Sequence, residues 1–438
     1  MTLKNYNFVL CNVTMKYTAI EKILLFLILS WLPVAFLDLI GGQAKSNESF
    51  ACLNNCFFVF GTVFFTYLIR NLARKKKECS KHINTIHLNR IYTAYNNVIL
   101  LFGITSICGI ISLTYDRMIT RGIDYSMGNR IARYMWFRSA EDVSTTFFGL
   151  VGNLLVPFSY VALFFFIVFY EKITYKNRFI AILSGWGIPF AHAFLNGGRM
   201  NLMECGMFFI SCCMTRYLSA KSLIPKINKC LLAGSLLSCF FYVSWIFDQS
   251  RMFYEDSVSL SYQTMDIAND LMGTILINDD GFFYNKIVQI LIYMYHGKWV
   301  TGHIIGIDLD EQYGFYSLAT FRGIMSMGGI LFPLEHNVEL LQGAFLNLPG
   351  TIYYDFGILG VVVFPVLMGF IINTFVVRFA HNTVHGYWGS IGMTLFLWGI
   401  ISSPVMPLWN FGSFYFLLWA FFITGLYLNN ILRVRKMI

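Results

Sequence analysis

Arg199 stands directly after two glycines in "LNGGRM", where one apolar run ends and the next begins. Glycines leave the backbone free to turn tightly there. A guanidinium at such a turn offers a planar fork of donors fitted to phosphate or carboxylate oxygens. A second set lies upstream, in "DRMITRGIDYSMGNRIARYMWFRSAED". It holds Arg117, Arg121, Arg130, Arg133 and Arg138, with no lysine, against Asp116, Asp124, Glu141 and Asp142. Such a set either pairs locally with the four acids or presents its forks to an anion. A third set lies in the stretch 248–354, where twelve acidic residues outnumber four basic ones. His296, His303 and His336 stand there among many tyrosines and glycines. Aromatic rings beside carboxylates suit sugars, because a ring stacks on the apolar sugar face while carboxylates accept hydrogen bonds from its hydroxyls. "IDLDEQY" brings Asp308, Asp310 and Glu311 together but lacks the glycine and spacing of a calcium loop, so it reads as a solvated acidic turn. The 10 cysteines show no CxxC pair and no Cys/His ligand spacing, so no metal and no cofactor is expected.

The elements that must position these residues are membrane helices. The chain has 438 residues, of which 57% are hydrophobic, 18% aromatic and 13% charged, with mean hydropathy +0.60. That apolar surface exceeds what one or two soluble cores can hide. Apolar runs near spanning length occur at Ile20–Ile40, Ala51–Ile69, Tyr92–Leu113, Thr145–Phe169, Phe179–Leu195, Met200–Met214, Leu231–Phe247, Phe356–Val376, Trp388–Ile401 and Phe411–Leu428. The sixth and ninth are short. Lys16 and Lys22 bracket the start of the first run as in a signal peptide. That run is too long for such a peptide and no small-residue cleavage site follows, so it reads as an uncleaved span.

Lysine and arginine cluster after the even-numbered runs. They occur as "RNLARKKKECSKH" after the second, "EKITYKNR" after the fourth, and Arg216, Lys221, Lys226 and Lys229 after the sixth. Arg378 follows the eighth and "RVRK" the tenth. The positive-inside rule then puts both termini in the cytoplasm and an even number of spans between them. Most of the formal charge of +9 is therefore topogenic, and nucleic acid drops out as a partner. The expected fold is all-α and polytopic, with ten or more transmembrane helices. Residues 1–247 would form an N-terminal bundle of about seven spans that carries the Arg-rich outer loop 115–144. Residues 248–354 would form one large outer loop, and 355–438 the C-terminal helices. Asp355 heads the eighth span, where a carboxylate caps a helix. Gly197–Arg199 falls at the outer end of the fifth span.

The stretch "NLPGTIYYDFGILGVVVFPVLMG", 347–369, resembles a segment of the Wzy-type O-antigen polymerases (oligosaccharide repeat-unit polymerases). In that family a large outer loop ends in an Asn/Thr turn and a Tyr-x-Asp-Phe-Gly-x-x-Gly entry into a span. "GGR" at 197–199 is similar to the family's glycine-arginine pair, and "EHNVELLQ" is faintly similar to a His-Asn motif of the related O-antigen ligases. The intruding "NLPGT" departs from the family pattern at the turn. The resemblance implies a GT-C-like glycosyltransferase at the periplasmic face of the bacterial inner membrane. It would transfer a growing glycan from undecaprenyl diphosphate to a new repeat unit on a second undecaprenyl diphosphate, working with a flippase and a chain-length regulator. Such chemistry needs cations for the leaving diphosphate, which implies Arg199, helped by Arg322, Arg138, Arg133 and Arg130. It also needs a base for the acceptor hydroxyl, which implies His336 beside Glu335, with His303 behind it. The ligase shares the fold. A lipid-linked oligosaccharide flippase would carry charges inside its spans, whereas these runs read as nearly charge-free.

Overall fold

The computed structural model describes residues 19–35, 46–72, 85–128, 131–133, 135–136, 146–196, 200–219, 222–223, 225, 237, 241–242, 297, 300–302, 305, 314, 316–318, 321–322, 325, 346–382 and 387–434. Every regular element among them is helical. In chain order these are α1 (19–35), α2 (Ser46–Leu72), α3 (Thr85–Tyr115), α4 (Phe147–Leu155), α5 (Phe158–Val168) and α6 (Tyr175–Ile182). They continue as α7 (Ile188–Leu195), α8 (Met200–Leu218), α9 (Leu348–Asn382), α10 (Tyr387–Ser402) and α11 (Gly412–Val434). Among the described residues, six segments are long and apolar enough to cross a membrane: Ser49–Leu72, Tyr92–Thr120, Phe147–Val168, Tyr175–Leu195, Leu348–Val376 and Gly412–Ile431. Helices α1, α8 and α10 coincide with three more of the apolar runs. Most of the run 231–247 lies outside the described residues.

The chain divides into two compact units, each drawn from separate stretches of sequence. The first comprises 1–80, 258–384 and 396–412; the second comprises 81–257, 385–395 and 413–438. In the first unit, α2 lies along α9 where small residues let the backbones approach. A Cβ added at Gly369 would come within 2.8 Å of Thr66 N, and one at Gly61 within 3.1 Å of Pro365 Cβ. Asn373 Nδ2 closes the seam by donating to Thr66 O at 3.0 Å. Trp31 of α1 packs on Phe58 and donates from its indole nitrogen to Ser403 Oγ at 3.0 Å. The outward faces are strongly apolar: Phe60 is 68% exposed, Phe64 60% and Leu359 75%. A water-facing surface rarely carries such a patch, whereas a lipid-facing one requires it.

In the second unit, α5 is buried along all eleven residues. A helix that is apolar all round belongs at the centre of its bundle, and α3, α6 and α8 pack around it. Gly109 permits the close crossing of α3 with α4, since a Cβ there would come within 2.7 Å of Val156 N. Pro157, which cannot continue an unbroken helical ladder, separates α4 from α5. Wide π-type turns at Asp116–Thr120 and Leu183–Gly187 interrupt the other two crossings. The first of them, at Asp116–Thr120, contributes to the polar site described below.

Candidate functional site

Polar side chains gather at the ends of the helices. In the second unit, Arg117 lies in the wide turn that follows α3 and is only 4% exposed. Its guanidinium donates to Asn196 Oδ1 at 2.7 Å and to Leu195 O at 3.4 Å, and it stacks 4.0 Å over the Trp136 ring. It therefore caps the C-terminus of α7, where unsatisfied carbonyls carry partial negative charge. Tyr125 OH adds a 2.7 Å hydrogen bond to the same Leu195 carbonyl, and its ring stacks on Phe194. Burial raises the Tyr125 phenol above its ordinary range, against the opposing effect of Arg117, which keeps it a donor. Two independent anchors thus fix the residues immediately ahead of Gly197–Arg199.

Beside this cap, Asp116 accepts from Arg121 Nε at 3.2 Å and from Thr146 Oγ1. The Thr146 hydroxyl in turn accepts from Gly149 N at 3.0 Å and starts α4 as its N-cap. Of the two roles open to the arginine-rich segment, local ion pairing accounts for Arg121, while Arg117 takes a third, capping α7. Arg133 is half-buried. Arg130, Arg138 and Arg199 lie outside the described residues. One turn back along α7, His192 Nδ1 stands 3.0 Å from Asn201 Nδ2, in the first turn of α8. Glu204 follows one turn into α8, is 4% exposed and accepts a hydrogen bond from Ser413 Oγ.

At the other end of α8 is Arg216, about 22 Å from Asn201 at 1.5 Å per residue. It is 1% exposed and pairs with Glu171 through both terminal nitrogens. It also donates to Ile167 O at 3.2 Å, Ser222 O at 2.8 Å and Ser222 Oγ at 3.2 Å. The helix α8 extends past the apolar run to include Arg216, and it is not among the six segments long and apolar enough to cross a membrane. Glu204 and Arg216 sit in α8, and they are tolerated because each is hydrogen-bonded within the bundle.

In the first unit, the described part of "NLPGTIYYDFGILG" is an anchored, broken helix. Asn347 is the N-cap of α9: its Oδ1 accepts from Gly350 N at 2.8 Å, while its Nδ2 donates to Asn55 Oδ1 at 3.1 Å. Asn54 Nδ2 donates to Pro349 O at 3.2 Å, and Leu348 N donates to Ser403 O at 2.8 Å. Gly357 then breaks the helix at φ 57° and ψ −153°, a region essentially closed to residues with a side chain. Asp355 does not cap the helix as expected, because α9 starts seven residues earlier, at Asn347–Leu348. Its carboxylate instead accepts from Tyr316 N at 3.0 Å, from Ser317 N at 2.9 Å and from Ser317 Oγ. The Tyr316 ring packs on Tyr354 at 5.4 Å, and burial raises its phenol far above the ordinary range. Arg322 is 8% exposed. His303, Glu335 and His336 lie outside the described residues.

No grouping of three or more potential metal ligands occurs among the described residues. No protein-family model matches the chain, and no curated protein or solved structure is significantly similar to it. The helices and their apolar faces define a membrane-embedded, polytopic helical protein. Sequence reasoning missed His192, Asn201 and Glu204. Their signal was present: His192 stands shortly before Gly197–Arg199, and Asn201 and Glu204 shortly after it.

Proposed function

We propose that this protein is a Wzy-type O-antigen polymerase, a glycosyltransferase of the bacterial inner membrane with ten or more spans. Both termini would be cytoplasmic and the active face periplasmic. The substrates are then a glycan on undecaprenyl diphosphate as donor and one lipid-linked repeat unit as acceptor. An acceptor hydroxyl oxygen bonds to the donor's anomeric carbon as the bond to the diphosphate breaks, and the hydroxyl proton passes to a base. The diphosphate is assigned to Arg199, with Arg130, Arg133, Arg138 and Arg322 as further candidates. The base is assigned to His336 beside Glu335, or to His303. The observation that supports this reading best is the doubly anchored end of α7. Arg117 and Tyr125 hold Leu195 and Asn196, so the chain leading to Arg199 leaves from a fixed point, as an anion site at a membrane boundary requires.

Glu204 favours a second reading, since a buried carboxylate in a membrane helix is a common feature of transporters. Gene deletion separates the two. Cells lacking a polymerase should carry single repeat units on their lipopolysaccharide instead of long chains, as resolved on gels. Loss of every unit, the single one included, would point to a flippase or a ligase instead. Topology is checked independently. A reporter fused after Lys77 should read cytoplasmic and one inserted at Asp279 periplasmic; the same side for both would overturn the orientation.

A further inference from the structure

His192 and Asn201 define a hydrogen-bonding device that the residue assignments above do not use. The amide nitrogen of Asn201 faces His192 Nδ1 at 3.0 Å. An amide nitrogen only donates, so Nδ1 must accept. An imidazolium has no acceptor nitrogen, so the contact requires a neutral ring whose proton sits on Nε2. As residues, His192, Asn196 and Asn201 are each partly exposed at this end of α7 and α8. The nearby charge is positive. Arg117 bears electrostatically on the ring and is bonded to Leu195 O and Asn196 Oδ1, within the next turn of the same helix. Within ion-pair distance, the carboxylate of Asp116 is matched to Arg121. Among the described residues Arg117 has no carboxylate that close; its bonds are to a carbonyl and an amide oxygen. A fixed N–H donor beside a guanidinium that no ion pair among the described residues neutralises suits an anionic oxygen.

We propose that His192, fixed as its Nε2–H tautomer by Asn201, donates a hydrogen bond to a phosphate oxygen of the polyprenyl diphosphate. On this view His192 is an electrophilic donor of the reaction and not its base, much as a neutral histidine polarises oxygen in other enzymes. The proposal rests on the polymerase reading, and its test separates the two. Undecaprenyl diphosphate is titrated into the purified full-length protein in detergent, with undecaprenol as the control for the tail alone. Binding of the diphosphate in preference to the alcohol is expected for the wild type. Equal binding of the two would overturn the polymerase reading and this proposal together.

Given wild-type binding, His192→Phe should bind about tenfold more weakly, as expected for a lost hydrogen bond to a charged group. His192→Gln, which keeps a donor, should stay within about threefold of wild type. A phenylalanine variant that binds as the wild type does, or a glutamine variant as weak as the phenylalanine one, overturns the proposal alone. A spectroscopic test avoids dependence on variants that fold. Nitrogen-15 shifts of labelled histidine, assigned by difference from His192→Gln, should show one protonated and one unprotonated ring nitrogen at neutral pH. Asn201→Leu should blur that pattern into a mixture of tautomers. A doubly protonated ring in the wild type would contradict the assignment.

Discussion

Gly360→Val should sharply reduce the amount of folded protein in the membrane, with Gly357→Ala next in severity. The two glycines build the corner between the first segment of α9 and its longer second one. At Gly357 the backbone is at φ 57° and ψ −153°, where a side chain costs about 1–3 kcal/mol of strain. At Gly360 a Cβ would come within 2.6 Å of Phe356 Cβ and 3.0 Å of Ile352 O. The obstacle includes backbone, which cannot swing aside, so valine adds an overpacking cost of about 1–3 kcal/mol. Losses of 1–2 kcal/mol change cellular abundance several-fold. Membrane abundance and detergent melting temperature measure both effects. Wild-type abundance and melting for Gly360→Val would mean that the corner does not exist as described. Because the two residues share one corner, the double variant should fall short of the sum of the single effects.

Arg199→Ala should cut polymerisation at least about tenfold while leaving abundance near normal, since one charge-assisted bond to phosphate is worth about 1.5–3 kcal/mol. Transition-state stabilisation of developing charge adds to that, at about 3–4 kcal/mol where such donors have been removed. Arg199→Lys should restore activity only in part, because an ammonium cannot reproduce the two-pronged donor geometry. If Arg199 merely snorkels to the headgroups, the pattern reverses: lysine is fully active, and alanine acts only through lowered abundance. Chain-length profiles normalised to protein amount distinguish these outcomes. Normal chains from a well-expressed alanine variant would sink the proposed role.

Helix positions were legible in the sequence because hydropathy at spanning length is a strong, local signal. All six of the segments long enough to cross a membrane fall on apolar runs. The roles of individual polar residues were far less legible. Arg117 looked like one of five equivalent arginines, yet its partners lie 78 and 79 residues further along the chain. Asp355 had the sequence context of a helix cap. The helix in fact starts at Leu348, because Asn347 and Pro349 supply an earlier and better start. Glu204 was overlooked because one carboxylate barely lowers the hydropathy of a run, and its hydroxyl partner is 209 residues away. In each case the deciding contact is non-local, and periodicity carries no record of it.

The bonds from Tyr316 and Ser317 to Asp355 have one further consequence. They join positions 39 and 38 residues apart, so they close the intervening chain into a ring. The entropy cost of closing such a ring rises only logarithmically with its length, by about 0.6 kcal/mol per doubling. The length of that ring is therefore only weakly limited by the cost of closing it, while Arg322 and Leu346, both buried within it, are fixed points. The two-point tether at Asp355 then sets where the ring begins and ends, whatever its length.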